Sequence, residues 1–199
     1  MQQTARKGTQ SRLLEAAANL MWERSYQATS VDDLCQRAEA KKGSFYHFFA
    51  SKTDLAIAAV EQLWTQAEEQ LFKPIFCSDA SGLEQLQMLV DTIHTFQVQA
   101  AEEKGDYLGC PFGNLGQEMA HQNEHLRLTL ERIFNAHYDY LEGALDKAVL
   151  AGDLAQGENR LRAQRIFAML EGTMMLAKVS NDPQIFQRVG PTLMAIAAT

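Results

Sequence analysis

Two groups of residues in this 199-residue chain have side-chain types and spacing suited to chemistry or recognition. The first centres on Cys110, which is followed at once by Pro111-Phe112-Gly113-Asn114-Leu115-Gly116-Gln117-Glu118. Proline favours the first position of a helix, so Cys110 is the expected N-cap. A thiol there meets unpaired amide donors and the positive end of the helix dipole, which favours the thiolate. Such a cysteine suits the sensing of electrophiles or oxidants. The second group is Lys42-Gly43-Ser44-Phe45-Tyr46-His47. Phe45 and Phe49 stand four apart and turn inward, leaving Lys42, Gly43, Ser44, Tyr46 and His47 facing out. A glycine lets the backbone approach another molecule closely. Together these residues suit a short helix seated against a DNA groove.

The elements around the second group follow from local signals. Ser30 is an N-cap and Asp33, three residues on, completes a capping box. Val31, Leu34, Cys35 and Ala38 then share one helical face. Glu39-Ala40-Lys41 forms a short connection without glycine or proline, and a second helix spans 42–48. Ser51 and Asp54 form another capping box, with Lys52 in the first turn. A lysine there opposes the helix dipole, a cost offset if it and the neighbouring amides hold a phosphate. Further helices are expected near 9–24, 52–72, 83–103, 111–120, 123–151, 159–179 and 183–197. Lys73-Pro74 is expected to end the fourth, and Gly190-Pro191 to kink the last. The fold class is all-α.

The segment Thr29-Ser30-Val31-Asp32-Asp33-Leu34, with Lys42-Gly43-Ser44-Phe45-Tyr46-His47-Phe48-Phe49 and Ser51-Lys52-Thr53-Asp54-Leu55, resembles the DNA-binding head of TetR-family transcriptional regulators. Arg12-Leu13-Leu14-Glu15-Ala16-Ala17, Leu20-Met21 and Tyr26 extend the likeness to the first helix, over roughly residues 9–60. The resemblance implies a three-helix head followed by a larger helical domain that dimerises and binds an effector. The expected division is 1–56 and 57–199. By position, Thr29 and Ser30 are expected on phosphates, Lys42, Gly43 and Ser44 in the major groove, and Tyr46, His47 and Lys52 on phosphates or bases. Phe48 departs from the polar aromatic common there, and Ser25 from a glycine. The implied partners are a double-stranded, palindromic operator, a second copy of the chain in a homodimer, and a small-molecule or electrophile effector.

The second segment is similar to a TetR subgroup that includes the NemR and AcuR repressors, through Gly109-Cys110, Leu115, Glu118 and Ala177-Lys178-Val179-Ser180. That likeness implies Cys110 as sensor and Lys178 as its partner, lowering the thiol pKa or trapping the modified product. Release by reversible binding of a small apolar ligand is the alternative. Candidate walls of an effector site are Trp64, Leu71, Phe96, Phe112, Met119, Phe134, Tyr138 and Met174. His94, Asn114, Glu118, His137 and Glu171 are candidate polar contacts. Ala168, Gly172 and Ala177 beside Phe167, Leu170, Met174 and Leu176 mark the penultimate helix as a dimer element.

Composition bounds the rest. The net charge is −7, with 46% hydrophobic and 22% charged residues, as in globular proteins. The first 56 residues hold eight Lys/Arg against six Asp/Glu, and the remainder ten against nineteen. A mildly basic head on an acidic body satisfies phosphate attraction, which needs only a local patch. An Arg6-Lys7 arm adds to that patch. No signal-like or membrane-spanning run stands out, so a cytoplasmic protein without a membrane partner is expected. Three cysteines without repeating spacing do not suggest a disulfide scaffold. No cofactor is implied. His121 and His125, near Glu118 and Cys110, suit a metal only if one helix carries both, and Asn123 looks like a helix start between them. Cys110 with His121 or His137 imitates a nucleophile–base pair, but no third orienting group accompanies it, so no enzyme is expected.

Overall fold

The computed structural model describes residues 8–197, leaving aside the side chains of residues 190, 191 and 193–197. The described residues form helices and connecting turns, without strands. In order these are α1 (Thr9–Glu23), α2 (Val31–Arg37), α3 (Lys42–Phe48), α4 (Lys52–Ala67), α5 (Lys73–Phe76), α6 (Gly82–Lys104), α7 (Pro111–Met119), α8 (Glu124–Ala151), α9 (Asn159–Ser180) and α10 (Gln184–Ala197). α4 does not stop before Pro74 as the sequence suggests. It passes through a π-helical stretch, Glu68–Phe72, into α5. The wider turn shifts the hydrogen-bond register just ahead of a residue that has no N–H to offer. α10 runs through the Gly190-Pro191 pair. The Arg6-Lys7 arm lies outside the described residues.

The chain groups into two compact units. One holds the residues up to Trp64 together with Asn114–Thr129; the other holds Thr65–Gly113 and Leu130 onward. The boundaries of these units fall within α4, α7 and α8, and Asn114–Thr129 groups with the first unit.

In the first unit α1 contributes Leu13, Ala16, Ala17 and Leu20 to one apolar cluster, α2 contributes Leu34 and Cys35, and Phe45, Phe49, Leu55 and Ala59 close it. The three- and four-residue spacing puts each set on a single helical face. Both bonds of the Ser30–Asp33 capping box are present. Glu39 takes φ +49° in the turn before α3, a left-handed position filled here without glycine. Arg12 Nε donates to the Ala38 carbonyl at 2.8 Å, satisfying an orphan acceptor at the end of α2.

In the second unit α6, α8, α9 and α10 bury Leu86, Leu89, Ile133, Leu141, Leu145, Ile166, Phe167, Leu170 and Phe186. Gly82 opens α6 where a Cβ would fall 2.0 Å from the Ala144 carbonyl oxygen, so only glycine allows this approach of α6 to α8. Gly105, at φ +85°, ends α6 in the left-handed conformation. Asn181 ends α9 in the same conformation, and its Oδ1 accepts from the Tyr107 amide at 2.8 Å. These two stops fix the loop that leads to Cys110.

Candidate nucleic-acid interface and effector site

α3 presents the outward set expected of it. Lys42, Gly43, Tyr46, His47 and Phe48 are exposed, and Ser44 is half-buried. A Cβ built on Gly43 meets nothing within 4 Å. The head's own packing therefore does not require glycine at this point. Lys42 Nζ pairs with Asp32 at 2.8 Å across the α2–α3 angle, on the surface. Tyr46 is 56% exposed, and Phe48 packs its edge against His47 with ring centroids 4.9 Å apart.

One expected phosphate contact is corrected, and Lys52 has a second task. Thr29 is fully buried, and its hydroxyl donates to the Ser25 carbonyl at 2.8 Å, so the side chain is consumed inside the loop. Ser30 stays at the surface as the cap of α2. Lys52 Nζ donates to the carbonyls of Tyr26 and Thr29, each at 2.9 Å, and lies 4.0 Å from the centre of the Tyr26 ring. Partial burial lowers its pKa, with the nearby Glu118 opposing that. Lys52 thus holds the Tyr26–Thr29 loop through two of its three donors.

Glu118 is likewise placed otherwise than expected. Its two carboxylate oxygens accept from the backbone amides of Tyr26 and Gln27, at 2.8 and 2.7 Å. It acts as a charged clamp on the head loop and not as an effector contact. Asn114 also groups with the head. Tyr26 Oη and Thr53 Oγ1, 2.8 Å apart, complete the fastening of the loop.

Cys110 caps α7 as expected: the Gly113 amide donates to its Sγ at 3.4 Å. Its protonation state differs from the expectation. Burial pushes the thiol well up, and the charge of Glu171, to which the thiol is hydrogen-bonded, pushes it further; amide bonds from Gly113 and Phe112 only partly oppose this. The resting sulfur is a protonated thiol. Glu171 is itself pushed up by burial, with the Cys110 contact opposing. A Cβ on Gly113 would lie 2.1 Å from Glu171 Oε2, so the bare glycine makes room for that carboxyl group. Lys178 is exposed, two turns further along α9, roughly 10 Å of helix from Glu171. The polar partner of Cys110 is therefore Glu171 and not Lys178.

Around this pair the second unit carries a nest of rings. His137 meets Phe112 at 5.9 Å, Phe72 at 4.8 Å and Phe167 at 5.2 Å, and Tyr138 sets its edge against Phe167 at 5.2 Å. His137 Nδ1 bonds to the Ile133 carbonyl at 2.8 Å, and burial lowers the imidazole pKa to about 4, so the ring is neutral. The Tyr138 phenol is raised, chiefly by burial. Phe134 joins the nest through Phe167 at 5.1 Å. Phe96, in contrast, is 53% exposed, and His94 stacks on Phe186 of α10 at 5.7 Å. Sequence reasoning passed over Gln97 and Tyr107, which are 3% and 2% exposed. Each carries a buried polar atom, Gln97 Oε1 and Tyr107 Oη, without a hydrogen-bond partner. The only available signal was the glutamine's place on the inward face of α6.

His121 falls in the turn after α7 and His125 in the first turn of α8, where Asn123 Oδ1 accepts from the Leu126 amide at 2.8 Å. Among the described residues no group of three His, Cys, Asp or Glu side chains is placed to hold a metal. No described helix is long and apolar enough to cross a membrane.

Comparison with known proteins agrees with this geometry. Residues 13–59 match the family model for bacterial regulatory proteins of the tetR family, and residues 82–193 match that of the tetracyclin repressor-like C-terminal domain. An HTH-type transcriptional regulator in the lacX 3′ region of Lactococcus lactis subsp. lactis is 29% identical over 91% of this chain and 89% of its own length. The transcriptional regulator AcuR of Cereibacter sphaeroides is 26% identical over 86% of this chain and 77% of its own. The crystal structure of the reduced form of NemR from E. coli superposes with a TM-score of 0.80 at 21% identity, covering 95% of this chain and 97% of that one. With the helix-turn-helix head and the helical C-terminal region both matched, the chain belongs to the TetR family and is a DNA-binding transcriptional regulator, not an enzyme.

Proposed function

We propose that this regulator is a repressor that binds a palindromic operator as a homodimer and leaves it when an effector occupies the second unit around Glu171 and Cys110. Ser30, Lys42, Gly43, Ser44, Tyr46 and His47 are the DNA-facing set. The observation that carries the DNA reading is Gly43: an exposed glycine in a helix, costing roughly 1 kcal/mol, with nothing of its own fold to avoid. Its use lies in what approaches from outside, and the backbone of a short helix lying in a groove needs that clearance.

The dimer reading rests on α9. Its buried side carries Ile166, Phe167, Leu170 and Met174, while Leu161, Ala168, Met175, Leu176 and Val179 are exposed at three- and four-residue spacing. A Cβ on Gly172, on the same stripe, meets nothing within 4 Å. Small residues within an apolar stripe allow the close approach of a second helix. Two heads related by a two-fold axis read half-sites about 34 Å apart.

For the effector, reversible binding is the reading favoured by the protonated thiol and the ring nest around His137 and Tyr138. Its occupancy is felt at the head through α4, α7 and α8, the helices whose residues are shared between the two units. The effector must bind the DNA-incompetent state more tightly. A second reading, covalent modification, is favoured by the Cys110–Glu171 hydrogen bond. The thiol adds to an electrophilic double bond, a C–S bond forms as the π bond breaks, and the thiol proton passes by way of Glu171 to the adjacent carbon. Operator release compared between wild type and Cys110→Ser separates the two. Unchanged release by N-ethylmaleimide in the variant removes the covalent reading; loss of release only in the variant supports it.

A further inference from the structure

The effector reading says where a ligand sits but not what it must carry. Gln97, Met174 and Glu171 lie near the start of α7, and Tyr107 comes three residues before Cys110. Gln97 Nε2 donates to the Gly109 carbonyl at 3.1 Å and lies 3.7 Å from the Met174 sulfur. That bond fixes the amide orientation, because the reversed amide would set oxygen against oxygen. Gln97 Oε1 is then an acceptor without a donor. Tyr107 is held by its backbone amide on Asn181, and its phenolic oxygen is also without a partner. Glu171, one turn before Met174, bonds the Cys110 thiol and stands against Gly113. A buried polar group left unpaired costs free energy, so two of them in the unit that holds Glu171 point to a polar guest.

The chemistry of that guest follows from the inventory. Gln97 Oε1 accepts only, Glu171 accepts when ionised, and the Tyr107 hydroxyl donates or accepts. Among the described residues no Lys, Arg or protonated His pairs with Glu171, Cys110, Gln97 or Tyr107. Arg160 lies over Tyr138 at 5.1 Å, but it is already paired with Asp139 and Glu142. An anionic head group buried here would meet an acidic side chain with no cation to offset it.

Resting on the effector reading above, we propose that Gln97, Tyr107 and Glu171 form a polar recognition head that takes an uncharged ligand with a hydrogen-bond donor, such as a carboxamide or hydroxyl, and rejects carboxylates, while its apolar body lies among Phe112, His137 and Phe167. The test uses the full chain and an isosteric pair, benzamide and benzoate, by calorimetric titration at pH 7. Benzamide is expected to bind at least tenfold more tightly than benzoate. Gln97→Leu and Tyr107→Phe should each weaken benzamide roughly tenfold, and Glu171→Gln should narrow the gap to benzoate. Thermal melting checks that each variant is folded, and the wild-type comparison needs no variant. Benzoate binding as well as benzamide, or no benzamide binding at millimolar concentration, overturns the proposal. So does benzamide binding that ignores both Gln97→Leu and Tyr107→Phe, which would mean that the orphan atoms serve only internal water. Operator affinity read in parallel separates the two levels. Benzamide that binds as described without loosening the operator supports the recognition head and refutes the effector reading; an operator released by benzoate refutes the head alone.

Discussion

Single residues in this protein separate tasks that the sequence leaves entangled. In the proposed reading Gly43 serves recognition and not folding. Gly43→Ala should leave the head as stable or up to about 1 kcal/mol more stable in thermal melts. Operator affinity should fall at least tenfold, because the added methyl group faces the approaching surface; a variant that binds as well as wild type would remove Gly43 from the interface. His137 is tied to stability. Its imidazole is neutral in the fold, with a pKa lowered from 6.5 to about 4 by burial. Native protein therefore binds fewer protons than unfolded protein between those values. Stability is fully present above pH 6.5 and is lost as the pH falls towards 4, on the order of 3 kcal/mol. His137→Phe should flatten that part of the stability–pH curve, and an unchanged slope would contradict the assignment. Cys110 has the opposite sign: a raised thiol contributes stability below its unfolded pKa that is lost in alkali. Its alkylation by iodoacetamide at pH 8 should be slower than that of an unfolded thiol and should speed up in Glu171→Gln, which removes the charge facing the sulfur. The position of Cys110 before Pro111 was enough to read its N-cap role. Its protonation state was not legible, because Glu171 comes from another helix sixty residues away.

At the scale of elements the sequence was most legible where caps and periodicity agree. The Ser30–Asp33 box forms, the Ser51 hydroxyl accepts from the Asp54 amide, and α2, α3, α6 and α9 begin and end within a residue or two of the expected places. It was least legible where backbone geometry absorbs an unfavourable residue. The π-helical turn at Glu68–Phe72 carries the chain through Pro74, and no propensity rule announces such a turn. Tertiary bonding also overrode positional reading. Lys52 and Glu118 look like free charges in the sequence, and both are committed to the loop between α1 and α2. α7 thus begins at Cys110 and ends on a carboxylate that grips the Tyr26 and Gln27 amides. Glu118→Ala leaves those two donors without their charged acceptor and should cost roughly 1.5–3 kcal/mol in denaturant unfolding. A loss below about 0.5 kcal/mol would show that solvent replaces the clamp without penalty.

For the whole molecule, the charge distribution and the exposed stripe on α9 point the same way. A net charge of −7 keeps the body of the protein away from DNA except where the head's basic residues lie. The proposed pairing of two copies through α9 would cover Met175, Leu176 and Val179, which are 47%, 50% and 80% exposed in the single chain. Met175→Asp should convert the dimer to monomer in sedimentation at micromolar concentration and abolish tight operator binding; a variant that stays dimeric would place the interface elsewhere. The central claim is that two copies of this chain present α3 to a two-fold symmetric site. Selection from a random pool of duplex DNA with the full-length protein tests it most directly. The account predicts enrichment of an inverted repeat with half-site centres about 34 Å apart, and loss of that enrichment in Gly43→Ala. A selected pool with no repeat, or with a single half-site bound as tightly as the pair, would contradict it.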